Sequence, residues 1–155
     1  MYVVSGDGPM VLACARNRRK QGIPCTGFEL HNDVGGRWDI ENPHSTMYDT
    51  AHLISSKRMT EFTEFPMKDS VAQYPSHHEL KTYFRDFVDH FGLREHYEFN
   101  TRVINVEPDG DQWQVTTERD GQQQTRSFDA VPSTHLTLPT KRRVERATVS
   151  KAQTR

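Results

Sequence analysis

The spacing of apolar positions changes several times along the chain, and each change predicts an element. Tyr2-Val3-Val4 is a short apolar run that stops at Ser5-Gly6-Asp7-Gly8-Pro9, a strand followed by a tight turn. Pro9 suits the first turn of a helix, and the residues to Gln21 read as one. They are apolar from Met10 to Ala15, then carry Arg16, Arg18, Arg19 and Lys20 where cations favour the carbonyl end. Gly22 stops the helix and Pro24 prevents its continuation. Cys25 to Glu29 predicts a second strand, completing a β-turn-α-β unit.

Residues 39 to 75 hold prolines at 43, 66 and 75 and keep no sustained period, which predicts a long loop with one short helix. Its aromatics, Tyr48, Phe62, Phe65 and Tyr74, suggest a segment that covers a site. Ser76-His77-His78-Glu79 then forms a capping box, and Leu80, Tyr83, Phe84, Phe87, Val88 and Phe91 recur at helical spacing up to Gly92. Beyond it Tyr97 to Val106, Gln112 to Glu118 and Gln124 to Val131 read as three strands, split by the hairpin signals Asp109-Gly110 and Asp120-Gly121. The pattern as a whole is α/β, with an antiparallel β-meander following a nucleotide-binding start.

Composition sharpens this picture in two places. The last 24 residues hold six of the 20 basic residues and one of the 21 acids, leaving 14 bases against 20 acids in residues 1–131. An acidic body argues against bulk nucleic-acid binding. Hydrophobic residues make up only 34% of the chain, so the core is thin or incomplete. Cys14 and Cys25 have no CxxC spacing and read as reduced, buried thiols of a cytoplasmic protein. No apolar run approaches the length of a membrane span. The eight histidines show neither H-x-x-x-H nor HExxH spacing, so they read as surface residues with no metal site, and no G-x-S-x-G elbow is present.

The chemistry lies near the start. A diphosphate needs close backbone approach and a helix N-terminus aimed at it; Gly6, Asp7, Gly8, Pro9 and Met10, between strand and helix, supply both. Val11 stands where the third glycine of G-x-G-x-x-G belongs, and a plain tight turn is the alternative. Glu29 ends the second strand close to the roughly twenty-residue spacing at which an acid accepts hydrogen bonds from an adenosine ribose. A carboxylate there opposes a 2′-phosphate, favouring FAD or NAD over NADP; a solvated strand-end glutamate is the alternative.

With Val34-Gly35-Gly36-Arg37-Trp38 added, the start resembles the FAD-binding portion of the flavin-containing monooxygenases, a branch of the class B flavoprotein monooxygenases. The resemblance continues through Met47-Tyr48, Ser55-Ser56-Lys57, Phe65-Pro66, the capped helix and the run Trp113 to Gly121 that leads to Phe128-Asp129-Ala130-Val131. It implies a Rossmann-like FAD/NAD(P)-binding fold of the three-layer ββα type, with a helical insertion and a β-meander. FAD would be held by Gly6, Asp7, Gly8, Pro9, Met10, Glu29, Arg37, Trp38 and Ser55, with the last three near its flavin end. The full-length parent would reduce FAD with NADPH, trap dioxygen as a flavin hydroperoxide and pass one oxygen to a soft nitrogen or sulfur atom of a small-molecule substrate. No protein acid or base is assigned a catalytic role.

Four positions depart from the family pattern. Ile54 replaces an asparagine usual near the flavin and can neither donate nor accept a hydrogen bond. Asp7 brings a carboxylate to the phosphates, Val11 crowds the helix start, and Arg18 stands where an apolar residue is expected. The expected organisation is a truncated FAD-binding domain over 1–131 and a non-family basic tail over 132–155, disordered or foreign in origin. The NADPH domain of the family is missing, which predicts no turnover by this chain alone. A non-catalytic dinucleotide-binding module is the competing reading, and an NAD-dependent dehydrogenase leaves Gly35-Gly36-Arg37-Trp38 unaccounted for.

Overall fold

A computed structural model describes residues 1–131, and the expectation for the basic tail lies outside them. The chain runs β1 (Tyr2–Ser5), α1 (Pro9–Lys20), β2 (Cys25–Phe28), a 3-10 turn (Gly36–Trp38), α2 (Lys57–Thr60), α3 (His77–His90), a second 3-10 turn (Arg94–His96), β3 (Tyr97–Glu98), β4 (Arg102–Asp109), β5 (Gln112–Arg119) and β6 (Gln122–Phe128). The first three strands form a parallel sheet with β2 in the middle. On the free side of β1, Ala130 makes a parallel bridge to Tyr2, and Val3 N donates to Ala130 O at 3.2 Å. The strand that opens at Asp129 therefore joins this sheet beside β1.

Three layers follow from the period-2 alternation of β1. Val4 packs with Leu12 and Ala15 of α1 and with Leu80, Phe84 and Phe87 of α3. Val3 points the other way and packs with Phe28, Val115 and Phe128, tying the parallel sheet to the meander. The architecture is the expected Rossmann-like three-layer α/β type. The meander is antiparallel, β4 to β5 to β6. Its second turn places Asp120 and Gly121 at φ +51° and +75°, the left-handed pair that matches strand twist.

Both long helices begin and end where local chemistry dictates. Ser76 Oγ accepts from Glu79 N while Glu79 caps Ser76 N, completing the capping box of α3. Leu80, Tyr83, Phe84, Phe87 and Val88 share its buried face, each full burial contributing about 1.5–3 kcal/mol. At the end of α1, Gly22 adopts φ +67°, with Ile23 N donating to Arg18 O and Gly22 N to Arg19 O, both at 3.0 Å. Arg18, unexpected in an apolar position, lays its guanidinium 4.1 Å from the Tyr2 ring centroid.

The structure corrects three expectations. The strand expected from Tyr97 to Val106 is two, because Asn100 turns left-handed (φ +54°) and sends β3 to the parallel sheet and β4 to the meander. The loop aromatics part company: Phe62 and Phe65 pack on Tyr83 and Phe87 of α3, whereas Tyr48 and Tyr74 stand exposed. Cys14 and Cys25 are free thiols, as expected, but only half-buried at the edge of the core. No helix among the described residues is long and apolar enough to cross a membrane.

Candidate flavin site

The turn between β1 and α1 opens a cleft of about 290 Å³ lined by Ser5 to Val11 and by Gly36, Arg37 and Trp38. Gly8 precedes α1 and no side chain caps the helix. Pro9 has no N–H, and Val11 N and Leu12 N donate to Gly8 O at 2.9 and 3.0 Å, so the amides of Gly8 and Met10 are the ones left for an incoming anion at this helix start. A β-carbon on Gly6 or Gly8 would meet nothing within 4 Å, so the backbone here faces open space in which a diphosphate fits. Val11, expected to crowd the helix start, is buried in the core with Leu12 and also lines the cleft. It leaves the cleft open.

Glu29 lies beyond the same turn. With Phe28, Leu30, Thr101, Arg102 and Val103 it lines a second cleft of about 240 Å³, and Ser5 and Gly6 belong to both clefts. The carboxylate is held by its own loop: His31 N donates to Glu29 Oε1 at 2.8 Å. Glu29 N donates to Glu98 O at 3.0 Å, and Thr101 N to Glu29 O at 2.9 Å, so β3 and the start of β4 fix its backbone.

Two carboxyls meet under the turn. Asp7 is 2% exposed, lies against the Gly36 backbone with the Gly35 and Gly36 amides beside its carboxyl, and faces Glu29, itself 6% exposed. Burial first and the Glu29 charge second push the Asp7 carboxyl up to about 7, against those two amides. Burial also raises Glu29, opposed chiefly by the His31 amide.

The Gly35-Gly36-Arg37-Trp38 segment is carried to the cleft by α3. Arg85 Nε donates to Asp33 Oδ2 at 2.5 Å and Arg94 Nη1 to Asp33 Oδ1 at 3.1 Å. Burial works against ionisation of Asp33, but the Val34 amide and the two guanidinium groups outweigh it and hold its carboxyl below the usual range. Lys81 Nζ reaches the buried Asp39 at 2.6 Å, and Asn42 Nδ2 donates to Gly36 O at 3.3 Å. Gly36 itself needs its left-handed φ of +52°.

Of the residues expected to hold the cofactor, the structure brings Gly6, Asp7, Gly8, Pro9, Met10, Arg37 and Trp38 to the first cleft and Glu29 to the second. Ser55 lines neither; its Oγ shares a 2.8 Å hydrogen bond with Thr60 Oγ1, and its neighbour Ile54 is fully solvent-facing. Thr101 and Arg102 were missed, because the break at Asn100 that delivers them has no local signature. The surface reading of the histidines is corrected at His77, which is wholly buried and points Nε2 at Asp49 O, 3.1 Å away. Asp49, His77 and His78 each bring a potential ligand atom within 4.8 Å of the others.

A family model described as flavin-binding monooxygenase-like matches residues 2–142. The chain belongs to that family. Flavin-containing monooxygenase 5 of Rattus norvegicus is 33% identical over 137 residues, covering 83% of this chain and 26% of its own length. Flavin-containing monooxygenase 3 of Homo sapiens is 34% identical with the same coverage. The chain spans about a quarter of the length of these relatives. Among solved structures, S-allyl-L-cysteine S-oxygenase from Allium sativum superposes with a TM-score of 0.76 at 25% identity, over 84% of this chain and 35% of that one. Cyclohexanone monooxygenase bound to ε-caprolactone gives 0.70 at 25% identity, over 84% and 25%. The flavin monooxygenase family therefore supplies both the fold and the segment order of residues 2–131.

Proposed function

We propose that residues 1–131 are the FAD-binding portion of an NADPH-dependent monooxygenase that oxygenates soft nitrogen or sulfur atoms of small molecules with dioxygen. The observation that carries the reading is the pair of clefts joined at Ser5 and Gly6, one offering uncapped helix amides and the other a carboxylate. An adenine dinucleotide carries a diphosphate next to a ribose, the two groups such neighbouring clefts suit. The Gly8 and Met10 amides would take the diphosphate, Glu29 the ribose hydroxyls, and Gly36-Arg37-Trp38 the flavin end. Glu29 opposes a 2′-phosphate, which favours FAD over NADP here. Ser55 is carried by its place in the family motif alone.

Bound flavin would supply the electron storage and dioxygen chemistry. This chain's own residues bind and orient. The Asp33 and Asp39 ion pairs hold Gly35-Gly36 in position, and Trp38 lines one side of the cleft. The preference for soft nitrogen and sulfur rests on relatives named for N-oxide formation and S-oxygenation. Cyclohexanone monooxygenase keeps ketone oxygenation as the neighbouring chemistry.

These 155 residues contain one glycine turn of this kind, so taken alone they bind FAD and do not turn over. Titrating the purified chain with FAD should raise its melting temperature, and adding NADPH and substrate in air should consume no NADPH. Substrate-dependent NADPH oxidation would overturn the second half of the reading. A non-catalytic dinucleotide-binding module is the second reading, favoured by the exposed Ile54 where hydrogen bonding is expected. It is separated by the absence of a bound yellow flavin and of any FAD-dependent rise in melting temperature.

A further inference from the structure

Diphosphate binding has no use for a carboxylate at Asp7. Its carboxyl lies between the two glycines of the turn, almost fully buried. A β-carbon on Gly36 would stand 2.9 Å from Asp7 Oδ1, so that oxygen is pressed against the Gly35-Gly36 backbone. Oδ2 is buried and meets no hydrogen-bond donor. An ionised carboxylate does not leave a buried oxygen bare when a proton is within reach. Glu29 faces it, and two adjacent buried carboxyls do not both ionise readily. One proton on Asp7 Oδ2, donated toward Glu29, supplies the missing partner.

We propose that Asp7 and Glu29 hold a single proton between them, and that this proton controls dinucleotide binding: the diphosphate is accepted by the singly charged pair and repelled by the doubly charged one. The inference rests on the dinucleotide reading of the site. The groups around the pair reinforce it. From β3, Tyr97 brings a buried hydroxyl that has no partner of its own, with Cys14 and Cys25 behind it. From the loop after β2 come the His31 amide and the half-buried His31 ring, and from the 3-10 turn only backbone amides. Arg102 shares the cleft with Glu29, yet among the described residues neither carboxyl has an ion-pair partner.

Carbon-13 NMR of the side-chain carboxyls in the cofactor-free 155-residue chain tests the first half. The expected titration has one carboxyl midpoint near neutrality, which disappears in Asp7→Asn and moves down in Glu29→Gln. Both carboxyls titrating below pH 5 would overturn the shared proton. FAD affinity between pH 6 and 9 tests the second half. In the wild type it should weaken about tenfold per pH unit above neutrality, since one proton is linked to binding. In Asp7→Asn, whose amide imitates the protonated acid, it should stay flat. Parallel slopes in the two proteins overturn the linkage. Should the variants fail to fold, calorimetry of wild-type FAD binding at pH 8 in buffers of different ionisation enthalpy reads the proton directly: uptake of about one supports the proposal, none defeats it. Loss of FAD binding at every pH strikes the flavin reading and the linkage together. Tight FAD binding with a carboxyl pair that titrates normally strikes this inference alone.

Discussion

The ring of Tyr97 lies against the α-carbon of Gly27, its partner in the β2–β3 register, so closely that a β-carbon there would stand 2.5 Å from two ring carbons. Tyr97 is buried and cannot swing away. Gly27→Ala therefore pushes β3 from β2 and should cost about 1–3 kcal/mol by overpacking. The denaturant midpoint reads this, and an unchanged midpoint would mean that the sheet yields freely.

Gly8 gives the opposite result. Its φ of −63° suits any residue, and a β-carbon would project into the empty cleft. Alanine is a poorer helix cap than glycine but restricts the unfolded chain more, so Gly8→Ala should leave stability within about 1 kcal/mol of wild type. FAD affinity should fall at least about tenfold, because the new methyl occupies diphosphate space. Calorimetry on the folded variant checks both; undiminished FAD affinity would place the diphosphate elsewhere.

Lys57, at the start of α2, is buried and donates through Nζ to the carbonyls of Val71 at 2.6 Å, Asp69 at 3.1 Å and Lys68 at 3.2 Å. It stitches the long loop to itself. Lys57→Met keeps the aliphatic stem and strands three carbonyls, which should cost about 2–4 kcal/mol. Thermal melts and the rate of proteolysis within residues 61–75 measure it. Equal protease resistance would show that water replaces the ammonium.

Tyr83 Oη accepts from Phe62 N at 2.7 Å and donates to Phe65 O at 2.6 Å. Tyr83→Phe leaves both backbone groups without a partner, at about 1–3 kcal/mol. Burial pushes the phenol up to about 12 from its usual 10. A raised pKa means the folded state favours the neutral phenol, so its contribution is complete below pH 10 and is lost as pH rises toward 12. The difference in melting temperature between wild type and variant should narrow across that window; a constant difference would detach the stabilisation from the phenolic proton.

The elements that the sequence determined by itself are those whose cause is local. The glycine turn, the capping box at Ser76, the Gly22 stop, the hairpin at Asp120-Gly121 and the helical spacing of Leu80 to Val88 each lie within a few residues, and their geometry follows from φ preference and side-chain period. The candidate site's glycine turn, Glu29 and the Arg37-Trp38 segment were legible for the same reason, as short motifs in the right order. Tertiary structure alone decided which of them meet. The break at Asn100, the burial of His77, the grip of Lys57 on carbonyls 11 to 14 residues away and the burial of Asp7 against Glu29 depend on contacts between segments that no local pattern encodes. Desolvation and hydrogen bonding at such contacts exist only once the chain has closed on itself, and there a glycine-turn aspartate becomes one half of an acid pair.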